Sequence, residues 1–338
     1  MTYTYIQVQD LHLAETPPRG RTLTYFEDII AKLEWVVARA NELEASGLVI
    51  CGDLWHSKNA RNTSHRAVQR VRSVLDLCNA RVSLVAGNHD EASGGGLEGQ
   101  PLLSVIDGSH IVLLDGPSEQ DPLIGGVAWS NEFEREGGAE VFAARVADLR
   151  RPLVFCHAPI ANRPFPFGPE AAGWMLDADV SRMVAYRKLS VRLIAHGHMH
   201  GQQTVSHWGD APHTLTMSNP GALSRATVSA DDVARVPAIA VIEYDWTHFG
   251  GTVAVRYEDV QHRPAAEVLR VEEHERDQSR ATDVARLATS MEAAYAEEVD
   301  GITLLDMLRT LGRPDQFDAE TWARGLALAA ASIDEVPA

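Results

Sequence analysis

The chain has 338 residues, of which 45% are hydrophobic and 23% charged, so it can bury one large core or a main domain with a smaller one, and extensive disorder is excluded. It has no run of 18 apolar residues and starts with polar residues, which predicts a cytoplasmic protein with no membrane partner. The net charge of -17 argues against nucleic acid at first sight, but residues 258–338 hold 18 acidic residues against 8 arginines and so carry -10 of it.

The first 90 residues predict alternating strands and helices. Short apolar runs predict strands at 6–8, 48–51 and 82–86, and apolar residues at helical spacing predict a helix in each interval. Such intervals suit crossovers between parallel strands, whose carboxyl ends meet at one sheet edge. Three polar blocks are therefore expected at that edge: Asp10-Leu11-His12, Gly52-Asp53 and Gly87-Asn88-His89-Asp90.

Beyond residue 110 the pattern becomes richer in strands. The helix predicted at 141–149 is surrounded by strands predicted at 111–114, 124–129, 153–156 and 191–195. His157 follows one of these strands, and Gly197-His198-Met199-His200 follows another. A closing antiparallel run is predicted at 204–208, 214–217, 239–244 and 252–257. The expected fold is α/β, a two-sheet sandwich flanked by helices, over residues 1–260.

The rest of the chain predicts a separate module. Residues 261–300 predict a linker or an exposed helix, and residues 301–338 predict an amphipathic helical hairpin. Such a hairpin either packs on its own body or docks on a partner. The three cysteines stand apart in apolar runs, which predicts buried free thiols in a reducing compartment: Cys51, Cys78 and Cys156.

The polar blocks have the residue types and spacing of metal ligands. Asp10 and His12 alternate by two, so both side chains leave the chain on one side and can chelate one ion. Asp53 has two carboxylate oxygens and can bridge two ions. Asn88 offers a neutral carbonyl oxygen, and His198 and His200 repeat the spacing of two.

One block also carries candidates for proton transfer. His89 adjoins Asn88, and Asp90 next to it is predicted to orient the His89 imidazole. Carboxylate, amide and imidazole groups around open positions suit two divalent cations that activate water against a phosphate ester.

Together these blocks resemble the calcineurin-like metallophosphoesterase superfamily over residues 5–225. Within it, Gly52-Asp53-Leu54-Trp55-His56 and Asn219-Pro220-Gly221-Ala222-Leu223-Ser224 are most similar to the SbcD-type (Mre-type) DNA exonucleases, whose partner is an SMC-like ATPase. The resemblance implies His89 as the catalytic histidine and His56 as a second imidazole near the scissile phosphate. It implies two ligand sets that share one aspartate: Asp10, His12, Asp53 and His200 for one metal, and Asp53, Asn88, His157 and His198 for the other.

Two features depart from the resembling family. Gln9 stands where the family usually has a small residue before the first aspartate, which we expect to affect packing more than chemistry. SbcD-type nucleases generally insert a capping domain, and little room remains for one between residues 260 and 300. The length fits a compact phage-type recombination nuclease subunit.

We therefore expect a DNA exonuclease or endonuclease that works with an SMC-like ATPase in DNA repair, recombination or replication. The resembling nucleases are often dimers, which makes a homodimer an open alternative. Mn²⁺ is favoured as the metal because the ligands are rich in oxygen and lack thiolate, with Mg, Fe or Zn left open. Two other classes stay open: a small-molecule or cyclic-nucleotide phosphodiesterase or phosphatase with the same core, and a binding subunit that acts through its terminal hairpin.

Overall fold

The structure is a computed structural model, and it describes residues 1–93, 95–162, 175–187, 190–210, 214–225, 227–246, 251–272 and 276. The chain divides into two compact units, Met1–Leu269 and Arg270–Ala338. All elements given below belong to the first unit. The predicted hairpin at 301–338 and most of the predicted segment at 261–300 lie outside the described residues, so the predicted domain boundaries stay predictions.

The first sheet has six strands in the order β14-β13-β1-β2-β3-β4. The pairs β1–β2, β2–β3 and β3–β4 are parallel, whereas β13 runs antiparallel to β1 and β14 antiparallel to β13. The strands span Thr2–Val8 (β1), Gly47–Cys51 (β2), Arg81–Val85 (β3), Ile111–Leu113 (β4), Ala238–Asp245 (β13) and Thr252–Asp259 (β14).

The second sheet also has six strands, in the order β11-β12-β10-β7-β6-β5. Its four central strands are parallel, and the two edge strands are antiparallel to their neighbours. The strands span Gly116–Pro117 (β5), Ile124–Val127 (β6), Leu153–His157 (β7), Leu193–Gly197 (β10), Gln203–Trp208 (β11) and Leu215–Asn219 (β12). A separate parallel pair joins Ile160–Ala161 (β8) and Met175–Leu176 (β9).

Helices cover the outer face of each sheet. The helix α1 (Tyr25–Glu42) buries Ile29, Leu33 and Val36 on one face, as the period of 3.6 residues requires. The remaining helices are α2 (His65–Leu75), α3 (Pro101–Val105), α4 (Gly138–Leu149), α5 (Asp177–Tyr186), α6 (Ala230–Ala234) and α7 (Ala265–Val268). Apolar side chains of α1 and α2 pack with the first sheet, and those of α4 and α5 pack with the second.

The inner faces of the two sheets form a third apolar layer. Val49 and Ile242 of the first sheet belong to one buried cluster with Phe155 and Leu193 of the second. This layer fixes the two sheets face to face, so the carboxyl ends of their parallel strands open on the same side of the molecule.

The predicted two-sheet α/β sandwich is confirmed. The predicted closing antiparallel run is wrong as a single unit, because β11 and β12 belong to the second sheet whereas β13 and β14 belong to the first. Moreover, β12 pairs in parallel with β10. The helix α5 had no predicted counterpart. The sequence pattern shows which runs are extended, but contacts between distant strands decide which sheet they join.

Two smaller expectations concern cysteines and membranes. Cys51, Cys78 and Cys156 are buried free thiols, as predicted. Within the described part of the chain, none of the helices combines the length and the apolar composition that crossing a membrane requires.

Candidate metal centre

The predicted polar blocks meet where parallel strands of both sheets end. Asp10 and His12 follow β1, Asp53 follows β2, and Asn88 follows β3. His157 ends β7 of the second sheet, and two further histidines follow β10: His198 and His200. The structure therefore brings together all seven residues that the sequence predicted as metal ligands, although their role as ligands stays a prediction.

The backbone at this edge is strained. Asp10, His12, Asp53 and His198 have φ values of 50°, 47°, 50° and 88°, a region that residues with a side chain rarely adopt. Such a conformation costs about 1 to 3 kcal/mol per residue and persists only where the surrounding contacts hold it. Its occurrence at four of the seven predicted ligands points to a functional constraint.

Two glycines allow the blocks to approach one another. Gly52 has φ +83°, and a Cβ atom there would overlap the His157 imidazole. A Cβ atom at Gly87 would overlap the Asp53 carboxylate and backbone nitrogen. Glycine at position 52 therefore lets the two sheets approach each other, and glycine at position 87 lets two strand ends of the first sheet do so.

One group of ligand atoms surrounds His12. Its Nε2 lies 3.1 Å from Nε2 of His200 and 3.6 Å from Oδ2 of Asp53. Asp10, His12 and His200 each offer a ligand atom within 4.8 Å of the other two. These contacts bring together the four residues of the first predicted ligand set.

A second group surrounds Asn88. Its Oδ1 lies 3.0 Å from Nε2 of His157 and 3.2 Å from Nδ1 of His198. Oδ2 of Asp53 lies 3.6 Å from His157 Nε2, the same distance as from His12 Nε2. Asp53 therefore lies between the two groups, where a carboxylate can bridge two ions.

The tautomer of His157 directs a lone pair into this second group. His157 Nδ1 is 2.9 Å from the Cys51 carbonyl oxygen, which only accepts, so Nδ1 carries the proton. Burial lowers the His157 pKa to about 3, so the ring is neutral and Nε2 presents a lone pair. That lone pair faces the Asn88 oxygen and, at 3.3 Å, His198 Nδ1. Convergent lone pairs fit a metal ion.

The two buried aspartates of this centre also favour bound cations. Asp10 and Asp53 are buried, and Asp10 Oδ1 has no hydrogen-bond partner among the described residues. Burial and the charge of Asp53 raise the pKa of Asp10 above its usual range, and burial raises the pKa of Asp53. Divalent cations would hold both carboxylates ionised, so the donors present fit a dinuclear metal centre.

The two imidazoles predicted to act on the phosphate lie beside this centre. The rings of His56 and His89 are nearly parallel, with an interplanar angle of 22° and centroids 5.8 Å apart. His89 Nδ1 lies 2.6 Å from the His56 carbonyl oxygen, which fixes the proton on Nδ1. Both rings lie with His12 in a further group whose ligand atoms are within 4.8 Å.

The predicted role of Asp90 is wrong. Its carboxylate accepts hydrogen bonds from the backbone N–H groups of Leu54, Trp55 and Gly87 rather than from the His89 ring. The His56 carbonyl holds that ring instead. Burial and the charge of Asp53 raise the pKa of Asp90 to about 7. Asp90 thus ties the segment after Asp53 to the turn that carries Asn88.

Glu134 is a residue near the centre that the sequence did not reveal. Its Oε1 lies 3.7 Å from Nε2 of His198, and its side chain is 40% exposed. It belongs to a short 3-10 helix, Asn131–Glu134, which has no motif around it. Only the fold brings this carboxylate close to His198, which follows β10.

The comparisons with known proteins give one family and several remote structures. A family model described as calcineurin-like phosphoesterase matches residues 5–202. No curated protein matches the chain. Among solved structures, the 5'-nucleotidase precursor from Thermus thermophilus is 13% identical with a TM-score of 0.46, covering 85% of this chain and 60% of its own.

Two further structures are similar to the chain. The protein TT1561 of Thermus thermophilus is 14% identical with a TM-score of 0.46, covering 77% of this chain and 100% of its own. Haemophilus influenzae NAD nucleotidase is 12% identical with a TM-score of 0.42, covering 99% of this chain and 60% of its own. The chain thus spans 60% of the length of two of these three proteins.

Mn²⁺ added to the metal-free protein is expected to raise its Tm. A cation that binds only the folded state adds about 2.7 kcal/mol to the free energy of unfolding at a hundredfold excess over Kd. Asp53→Asn should lose most of this increment, because Asp53 lies between both groups. Asp107→Asn is the matched control, since Asp107 accepts backbone N–H bonds ahead of β4 and should keep the increment. Calorimetry with EDTA or Mn²⁺ measures the difference, and an equal increment in both variants would contradict the site.

Proposed function

This chain belongs to the calcineurin-like phosphoesterase family, and from that premise we propose that it is a DNA nuclease that hydrolyses phosphodiester bonds with two bound divalent cations. The family and the candidate ligand groups make it a metal-dependent phosphoester hydrolase. DNA as the substrate, Mn²⁺ as the metal and an SMC-like ATPase as the partner are proposals.

The observation that carries the proposal is the pair of imidazoles beside the ligand groups. His89 and His56 lie nearly parallel, and His12, a predicted ligand, has its ring centroid 4.8 Å from that of His89. A phosphodiester needs a group that stabilises or protonates the leaving oxygen once water attacks. With Nδ1–H held by the His56 carbonyl, the His89 ring turns Nε2 to that role, and Nε2 donates to the leaving oxygen when the ring carries a second proton.

We propose that the metal-binding residues are the seven predicted ones. Asp10, His12 and His200 would hold one ion, Asn88, His157 and His198 the other, and Asp53 both. The chemistry that two bound cations supply is a lower pKa for the attacking water and neutralisation of the phosphoryl oxygens. Burial lowers the pKa of His12, His198 and His200, which keeps these imidazoles neutral and able to donate lone pairs.

Basic and aromatic side chains beside the centre support a nucleic-acid substrate. Lys58 Nζ lies 5.6 Å from the centroid of the half-buried Trp129 ring. The backbone N–H of Trp129 donates to the Ala86 carbonyl, directly before the block that carries Asn88. Arg61, three residues after Lys58, is exposed. A cation with an aromatic ring next to these blocks suits a phosphate backbone with bases.

Two acidic side chains favour the second candidate, a small-molecule phosphodiesterase or phosphatase. Glu134 lies 3.7 Å from His198, and Glu91 follows Asp90 directly. Carboxylates near the centre repel a polyanion more than a compact ester, and the net charge of -17 acts in the same direction.

The decisive experiment offers both substrate classes to one protein. Mn²⁺-dependent degradation of end-labelled linear double-stranded DNA is expected, and Asp53→Asn should abolish it. Bis(p-nitrophenyl) phosphate, run in parallel, reports whether the centre is active at all. Turnover of this ester with intact DNA, even after a candidate ATPase is added, would reject the nuclease and favour the small-molecule class.

His89→Ala is expected to retain metal and lose most turnover, because His89 is proposed to act on the leaving oxygen rather than on the cations. General acid or base groups contribute about 10²- to 10⁴-fold to the rate, so the substitution should lower kcat by a factor in that range. The control is His207→Ala, whose imidazole on the edge strand β11 contacts Thr216. Metal content and kcat are measured together, and normal turnover in metal-replete His89→Ala would remove the assignment.

We further propose that residues 301–338 dock on the SMC-like ATPase, from the amphipathic leucine pattern of that segment. Deletion of these residues is expected to abolish capture of a purified candidate ATPase while hydrolysis of bis(p-nitrophenyl) phosphate continues. Capture that survives the deletion would assign docking to another surface.

A further inference from the structure

A buried hydrogen-bond network joins the two sheets directly beside the first predicted ligand block. Gln9 is fully buried, immediately before Asp10. Its Nε2 donates to Oδ1 of Asn219 at 2.7 Å, and its Oε1 accepts from Nε2 of Gln7 at 3.1 Å. Oε1 of Gln7 accepts in turn from the Ser218 hydroxyl at 2.8 Å.

This network reaches the backbone between two predicted ligands. The Met199 carbonyl oxygen accepts from Nδ2 of Asn219 at 3.0 Å and from Nε2 of Gln9 at 3.4 Å. Met199 separates His198 from His200, and these two residues belong to different ligand groups. A change in the position of this carbonyl therefore shifts His198 and His200 together, and with them both ligand groups.

The backbone that the network holds is strained. His198 has φ 88°, a conformation that neighbouring contacts must maintain. Its N–H donates to Oδ2 of Asp10 at 3.1 Å, and the His200 carbonyl accepts from the Ala222 N–H at 2.9 Å. His198, Met199 and His200 each take part in a backbone hydrogen bond. At Met199 the donors are the side-chain amides of Asn219 and Gln9.

We infer that Gln9 is a positioning residue that, by holding the Met199 carbonyl, sets how His198 and His200 are placed to hold the two metal ions. A small residue at this position leaves Asn219 as the sole side-chain donor to that carbonyl among the described residues. Gln9 also fixes Asn219, whose Oδ1 accepts from both Gln9 Nε2 and the Gly221 N–H. The glutamine thereby couples the strand that carries Asp10 to the turn that carries His198 and His200.

The inference rests on the proposed metal-dependent function and is tested by metal binding rather than by activity alone. Gln9→Met keeps the length of the side chain and removes its hydrogen bonds, and Gln9→Ser introduces a small residue. The matched control is Gln100→Met, another buried glutamine, at the start of α3, with its Oε1 unpartnered among the described residues. Urea unfolding verifies that all variants fold.

The readouts are Mn²⁺ binding by calorimetry and the low-temperature electron paramagnetic resonance signal of two coupled Mn²⁺ ions. Loss of a residue that orients metal ligands typically costs about 10- to 100-fold in affinity, so we expect a loss of about tenfold or more in Gln9→Met and Gln9→Ser, with a weakened or altered coupling signal. Gln100→Met should match the unsubstituted protein in Mn²⁺ affinity and in the coupling signal.

Three outcomes separate the possibilities. Weaker Mn²⁺ binding and coupling in both Gln9 variants, with Gln100→Met unchanged, supports the positioning role. Two tightly bound, normally coupled Mn²⁺ ions in either folded Gln9 variant would overturn it and leave the proposed function intact. No Mn²⁺ binding by the unsubstituted protein would overturn the proposed function, and the inference with it.

Discussion

The structure depends on the burial of ionisable and polar side chains where the two sheets open on the same side. Asp10 and Asp53 are shielded from water, and neutral imidazoles direct lone pairs toward them and toward Asn88. Burial of charge costs several kcal/mol per ion unless it is compensated, so hydrogen bonds and bound cations would both stabilise this edge. The strained backbone and the glycines at Gly52 and Gly87 follow from that requirement.

The same constraint explains why the fold needs two sheets. Asp53 comes from the first sheet and His157 from the second, and their side chains lie 3.6 Å apart. The apolar layer around Phe155 fixes the sheets face to face, and the polar network around Gln7 and Gln9 continues that layer up to the candidate metal centre. Packing energy thus maintains a ligand geometry that the aspartates and imidazoles alone would oppose.

Most of the centre could be predicted from the sequence because its residues belong to short local blocks. Asp10-Leu11-His12 and Gly197-His198-Met199-His200 each follow an apolar run, and each holds two candidate ligands two residues apart. The errors concern partners distant in sequence. The sequence pattern pairs Asp90 with its neighbour His89, but its carboxylate bonds to backbone N–H groups at Leu54 and Trp55.

By itself, the sequence determined the α/β class, the strand ends that carry the candidate ligands and the buried face of α1, because residue type and period are local properties. Only the tertiary structure decided that β11 and β12 leave the sheet of β13 and β14, that Glu134 approaches His198, and that Gln9 donates to the Met199 carbonyl. Such contacts join segments far apart along the chain, and their geometry arises from the packing of the two sheets.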